Sequence, residues 1–308
     1  MRRFIIDTDA ASDDAVALIM ALRDETCKVE AITVLGGVMA VEQASINARV
    51  SIDVADTYIP PVYCGMQKPL WRAAQTGENA HGVDGLSDVG LAVTNLPPTE
   101  GHAVDAILSL AKKYDDLEII TLGPLTNIAM AIMLDLPTMK RVKRIITMGA
   151  QYIMPNDCTA NAEYNIWVDA EAADIVMQSG IPITLIPLDA CYGAAEINKE
   201  DREKLLGMGT RCGEFIVKAN KNLLQFNIDF YGKDIISQPD PSAVASTLYP
   251  GVVTATRTAK ARVECKSELG YGQVLYNFDT AEPHNVTIVT AIDAGKFKEY
   301  LFKTAEMK

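Results

Sequence analysis

Asp7, Asp9, Asp13 and Asp14 crowd into the stretch Ile-Asp-Thr-Asp-Ala-Ala-Ser-Asp-Asp at residues 6–14. An apolar strand pattern precedes them and an amphipathic helix pattern follows. That order puts the cluster at the carboxyl end of a first strand, where open α/β sheets collect ligands. Like charges this close repel one another unless a cation or a hydroxyl-rich ligand offsets them. The oxygen-only donor set suits a hard divalent ion, Ca²⁺ or Mg²⁺, better than zinc or copper. Such an ion lowers the pKa of a water it holds, which is hydrolytic chemistry. A purely structural alternative makes Ser12 a helix N-cap, with Asp13 and Asp14 complementing the helix dipole, but it leaves Asp7 and Asp9 unexplained.

A distant carboxylate, Asp240, lies in Gln-Pro-Asp-Pro-Ser-Ala-Val at residues 238–244, just ahead of an apolar helix pattern. Alone it reads as a helix start with proline in the first turn. Beside the amino-terminal acids it becomes a further candidate ligand for the same ion.

Apolar strand-like runs alternate with helical patterns: strands at residues 3–7, 28–35, 117–122, 142–149 and 183–188, and helices ending near residue 23 and at 41–55, 125–133 and 170–179. This alternation predicts parallel β-α-β units in one domain spanning residues 1–308, an open and mostly parallel sheet about six or seven strands wide with helices on both faces. Residues 198–226 read as helical, followed by a polar loop and a short helix from residue 241. Runs at 254–263, 272–276 and 286–291 read as a late antiparallel addition, and a closing helix follows from residue 294.

Bulk properties narrow the partners. Acidic residues exceed basic ones by 40 to 28, a formal net charge of -12, which argues against nucleic acid and favours a small ligand. The opening Met-Arg-Arg-Phe-Ile-Ile-Asp is too short in apolar residues for a secretory leader, and no run reaches transmembrane length, so no membrane association and a cytoplasmic location are expected. The six cysteines form no Cys-x-x-Cys pair, as expected of reduced thiols.

The Asp-x-Asp-x-x-x-Asp-Asp motif, with His-Gly-Val-Asp-Gly-Leu at 81–86, Leu-Gly-Pro-Leu-Thr-Asn at 122–127, Ala-Glu-Tyr-Asn-Ile-Trp at 162–167 and Asp-Pro-Ser-Ala-Val at 240–244, resembles the nucleoside hydrolase family, the inosine-uridine-preferring nucleoside N-ribohydrolases. The resemblance runs over nearly the whole chain in order and spacing. It implies one Ca²⁺ per subunit, hydrolysis of the N-glycosidic bond of a nucleoside substrate, and a homodimer or homotetramer. It also implies that Asp9, Asp14, Asp240 and the Leu122 carbonyl hold the ion, that Asp9 deprotonates the attacking water, and that Asp7 supports the site from behind. Asp13, Glu163 and Asn165 would hold the ribose hydroxyls. The chemistry is consistent: carboxylates stabilise an oxocarbenium-like sugar, and fixing the hydroxyls orients the anomeric carbon.

Departures from the family pattern fall at the departing base and in the sugar and metal region. Pro239 occupies the position where many relatives place a histidine that protonates the departing base. Gly37 and Asp157 stand where asparagines commonly assist the sugar and metal region, with Asn156, adjacent to Asp157, as a stand-in, and Cys191 replaces a histidine of some relatives. Tyr231 or Gln238, both expected in the loop before Asp240, and His81 are the substitutes considered for leaving-group and base contacts. Two other functions compete: a haloacid dehalogenase-like phosphohydrolase using Asp7 and Asp9, and a calcium-dependent nucleoside or sugar binder with little catalysis.

Overall fold

The computed structural model describes residues 1–151, 159 and 161–307. Asn156 and Asp157 therefore lie outside the described residues.

Strand β1 (Arg2–Thr8) is buried on both faces: Phe4 and Ile6 enter one apolar layer and Ile5 the other. Such two-sided burial requires helices above and below, and the chain supplies them. The helices Ser12–Arg23, Val41–Ala55, Pro239–Leu248 and Ala294–Glu306 pack together on one side; Ala103–Lys113, Thr126–Met139 and Ala170–Gln178 pack on the other. In chain order the remaining strands are β2 (Cys27–Val34), β3 (Val62–Cys64), β4 (Leu117–Thr121), β5 (Arg144–Met148), β6 (Ile183–Ile186), β7 (Glu196–Ile197), β8 (Ile236–Ser237), β9 (Val253–Val263), β10 (Val274–Asn277) and β11 (Val286–Ile292).

The main sheet has nine strands in the order β10-β9-β11-β6-β5-β4-β1-β2-β3. From β1 the chain builds outward to β2 and β3, then returns to β4 on the opposite side and continues through β5 and β6. This reversal opens a crevice between the carboxyl ends of β1 and β4, the place where doubly wound sheets bind ligands. Asp7 pairs with Thr33 on one side and Thr121 on the other, so the first acid stands at that crevice.

Three expectations need correction. The sheet is wider than six or seven strands, because the short edge strand β3 and the β9–β10 pair extend it. The late addition is only partly antiparallel: β9 pairs antiparallel with both neighbours, whereas β11 lies parallel to β6. The helical region after Asn198 continues through Lys199–Gly207, Arg211–Ala219 and Lys221–Tyr231, so Tyr231 sits on a last helical turn and not in a loop. Gly232, in the left-handed conformation with φ 65°, ends that helix. Among the described residues, no helix is long and apolar enough to cross a membrane.

Candidate active site

The turn between β1 and the first helix is unusual in its backbone. Ala10 takes a left-handed conformation, φ 50°, which costs energy in a residue carrying a Cβ. Thr8 holds the turn from inside: its hydroxyl accepts from the Ala10 N–H at 2.9 Å and donates to Asp14 Oδ1 at 2.5 Å. Asn47 adds a bond from its side-chain amide to the Ala10 carbonyl at 2.9 Å. Asp14 Oδ2 accepts from the Ala11 N–H at 3.0 Å. Asp14, not Ser12, therefore satisfies the opening of the helix, and the Ser12 hydroxyl is left to meet His81 Nδ1 at 2.8 Å.

Asp7 lies behind the cluster. Its Oδ1 accepts from the Thr33 hydroxyl at 2.5 Å and from the Asn127 amide at 2.8 Å, while Oδ2 is buried with no partner among the described residues. Burial pushes this carboxyl up to about 7. It does not line the cavity, so it cannot attack a phosphoryl group as the phosphohydrolase alternative requires.

Asp9 is held by backbone. Its Oδ2 accepts from the Val38 N–H at 2.6 Å. Gly37 and Gly123 let the main chain close around it: a Cβ on Gly37 would stand 2.1 Å from Oδ2, and one on Gly123 2.9 Å from Oδ1. Burial pushes the Asp9 carboxyl up to about 7, with the Asp13 charge adding to the rise.

Asp240 reaches the cluster from the first turn of the helix Pro239–Leu248, which packs against Ser12–Arg23. Carboxylate oxygens of Asp13, Asp14 and Asp240 all lie within 4.8 Å of one another. Asp14 and Asp240 belong to the ligand set expected from the sequence, but the tightest trio contains Asp13 where that set has Asp9. Burial drives the Asp14 and Asp240 carboxyls well above the usual range, and neighbouring carboxylates raise them further. Asp240 Oδ1 is buried without a partner among the described residues. Unpaired oxygens in a concentration of buried acids match the all-oxygen donor set of a hard cation.

The opposite wall comes from the helix Tyr164–Val168. Glu163 caps it, accepting from Asn165 N–H at 2.9 Å and Ile166 N–H at 3.2 Å, and also takes the Ala150 N–H at 3.0 Å. Asn165 donates to the Leu122 carbonyl at 2.8 Å, tying this helix to the end of β4. These residues border one cavity of about 600 Å³, together with Asp9, Asp13, Asp14, Leu122 and Asp240. His81, 3.9 Å from Asp13, also lines it, with Phe226, Phe230, Tyr231 and Pro239. The size is that of a small-molecule site.

Three candidates are placed differently from expectation. Gln238 is fully buried, donates to Asn220 Oδ1 at 3.2 Å and the Ser237 carbonyl at 2.9 Å, and is not on the cavity wall. Trp167, the last residue of the Ala-Glu-Tyr-Asn-Ile-Trp run, is half-buried and lines the cavity, whereas Trp71 is exposed away from it. Cys191 is buried against Ser242 at 3.0 Å, and burial pushes its thiol up to about 12, so it offers no proton near neutral pH. Thr33, Asn127 and the Val38 amide were not singled out from sequence. Asn127 belongs to the Leu-Gly-Pro-Leu-Thr-Asn run, the one signal that could have marked it.

A family profile described as inosine-uridine preferring nucleoside hydrolase matches residues 4–299. The chain is 31% identical over 304 residues to the pyrimidine-specific ribonucleoside hydrolase RihA of Salmonella gallinarum, covering 96% of each chain. It is 31% identical over 307 residues to the inosine-uridine preferring nucleoside hydrolase of Leishmania major, covering 96% of this chain and 95% of that one. Its structure overlays on a plant nucleoside hydrolase with a TM-score of 0.91 at 25% identity, over 100% of this chain and 99% of that one. The chain belongs to the inosine-uridine preferring nucleoside hydrolase family, enzymes that cleave the N-glycosidic bond of ribonucleosides.

Proposed function

We propose that this protein hydrolyses ribonucleosides to ribose and free base with one Ca²⁺ at the carboxylate cluster. The observation that carries this reading is the convergence of Asp13, Asp14 and Asp240, from opposite ends of the sequence, with an unpaired buried oxygen on Asp240. Asp9, Asp14, Asp240 and the Leu122 carbonyl would hold the ion, and their hard oxygens favour calcium. When bound, the cation offsets the repulsion among the acids and lowers the pKa of a water it holds. Asp9, whose carboxyl titrates near neutrality in the cation-free chain, accepts the proton from the attacking water.

Asp13, Glu163 and Asn165 hold the ribose hydroxyls and so fix the anomeric carbon against that water. Glu163 and Asn165 are themselves anchored to Ala150 and Leu122, so this wall of the sugar site is tied to the ends of β5 and β4. Positive charge developing on the sugar is stabilised by these surrounding carboxylates. At the base end Pro239 offers no proton. His81 and Tyr231 line that end, and Tyr231 assists the leaving base by hydrogen bonding.

The test is reducing-sugar release from a panel of purine and pyrimidine ribonucleosides, with and without EDTA, for the wild type and Asp9→Ala. Release by the wild type alone, abolished by EDTA and restored by Ca²⁺, is expected. Calorimetric binding of nucleosides with no sugar release on prolonged incubation would make the protein a binder instead.

A further inference from the structure

Ser12 is fully buried, and among the described residues its hydroxyl has one partner, His81 Nδ1 at 2.8 Å. A hydroxyl can give a proton or receive one, so the direction of this bond is decided by what else each group can reach. If Nδ1 carried a proton and gave it to Ser12, the serine's own proton would be left buried without an acceptor, which costs more than the bond returns. A doubly protonated imidazolium meets the same loss. Asp13 Oδ1 does not rescue either form, because at 3.9 Å it stands beyond hydrogen-bond range of Nδ1. The pair is satisfied with Ser12 donating, Nδ1 accepting and the His81 proton on Nε2.

The ring is also held in direction. Ser12 opens the helix Ser12–Arg23 and is not on the cavity wall. His81 lines both the cavity and an adjoining recess of about 160 Å³, which it shares with Asp13, Phe226, Tyr231 and Pro239. The nitrogen bonded to Ser12 is thus turned to the wall, and Nε2 lies on the other flank of the ring, toward the cavity. The loop behind His81 is built to keep it there. Ser87 and Asp88 take left-handed backbone, φ 71° and 54°, though neither is glycine. The Ser87 N–H donates to the His81 carbonyl at 2.9 Å, and the Ser87 hydroxyl to the Ala219 carbonyl at 2.7 Å. Asn47, fully buried, donates to the carbonyls of Ala10 and Asp84, each at 2.9 Å, so one side chain clamps this loop to the acid-rich turn.

We propose that Ser12 is a positioning residue for release of the base: it fixes His81 as the neutral tautomer whose Nε2–H donates a hydrogen bond to the departing base. This rests on the base placement of the proposed function. The C1′–N bond breaks with its electron pair leaving on the base, and the charge spreads to the acceptor beside the glycosidic nitrogen, O2 of a pyrimidine or N3 of a purine. The hydrogen bond from Nε2 strengthens as that charge grows, which lowers the barrier. His81 keeps its proton throughout. Water oxygen bonds to C1′, Asp9 passes one water proton to solvent, and the base takes one proton from solvent.

Two measurements test this. Long-range ¹H–¹⁵N NMR at pH 8, above the ordinary imidazole range, reads the tautomer directly. The chain has three histidines, His81, His102 and His284, and His81→Gln assigns the signal. The wild type should show His81 with Nδ1 unprotonated and Nε2 protonated, a result that needs no Ser12 variant to fold. Kinetics then compare the wild type with Ser12→Ala on uridine, inosine and p-nitrophenyl β-D-ribofuranoside, whose phenolate leaves without help. On the better nucleoside kcat should fall about tenfold further than on the riboside, the size of one hydrogen bond. KM should stay within about twofold, because Ser12 touches neither sugar nor base. A proton on Nδ1, or equal losses on nucleoside and riboside, overturns the inference and leaves the hydrolase reading standing. A wild type that cleaves none of the three substrates overturns the hydrolase reading and this inference with it.

Discussion

Removing divalent cation should destabilise this protein in a pH-dependent way whose sign is set by the buried acids. Asp9 titrates at about 7 in the folded chain against an ordinary 3.8, and Asp14 and Asp240 are raised as well, all chiefly by burial. The folded state therefore binds more protons than the unfolded one between those values, and cation-free stability falls as pH rises through that window. For Asp9 alone the three-unit rise corresponds to roughly 4 kcal/mol at pH well above 7. A cation present at a hundred times its dissociation constant returns about 2.7 kcal/mol. A chain of 308 residues unfolds with an entropy of roughly 0.65 kcal/mol/K, so the gain in Tm at pH 8 should be about 4 °C. At pH 5 the cation must displace protons, and a loss of about a hundredfold in affinity through Asp9 leaves less than about 1 °C. Differential scanning calorimetry at both pH values, with EDTA or excess CaCl₂, measures this directly. Equal gains at pH 5 and pH 8, or cation-free protein that grows more stable between them, would refute the electrostatic reasoning.

Asp240→Asn should cut base release by at least about a hundredfold, as expected for loss of a charge at the reacting centre. It should also raise the cation-free Tm at pH 8, because a repelled carboxylate is gone; a scan showing a lower Tm contradicts that account. Gly37→Ala pushes a methyl into Asp9 Oδ2, 2.1 Å away, and should lower kcat about a hundredfold through misplacement of the base. Unchanged steady-state kinetics would mean that Asp9 has room to move without consequence. Tyr231→Phe should lower kcat about tenfold on the best substrate, the size of one hydrogen bond. Its half-exposed position predicts an unchanged Tm, and an unchanged kcat removes Tyr231 from the leaving-group role.

The parallel core was legible because its signals are local. Strand runs, helical periodicity and the acid-rich turn at residues 6–14 lie within single segments, and those segments became β1 and the helix Ser12–Arg23. The edge was harder to read: β3 is three residues long, and the orientation of β11 depends on which strand it meets, not on its own composition. The same limit divides the candidate site. Asp14 and Asp240 read as acids in a motif and do converge. Thr33 and Asn127 became visible only when β2 and the helix Thr126–Met139 closed on Asp7. Two of the gaps in the family pattern, at positions 37 and 239, look alike in sequence but differ physically. At position 37 the missing side chain has a backbone substitute, because the Val38 N–H holds Asp9 in the space a larger residue would fill. At position 239 proline has neither an N–H nor an acidic proton, and the buried Cys191 cannot provide one. Under the proposed function, help for the departing base would come from His81, 3.9 Å from Asp13, or from the end of the helix Lys221–Tyr231, and the choice of base would be made there.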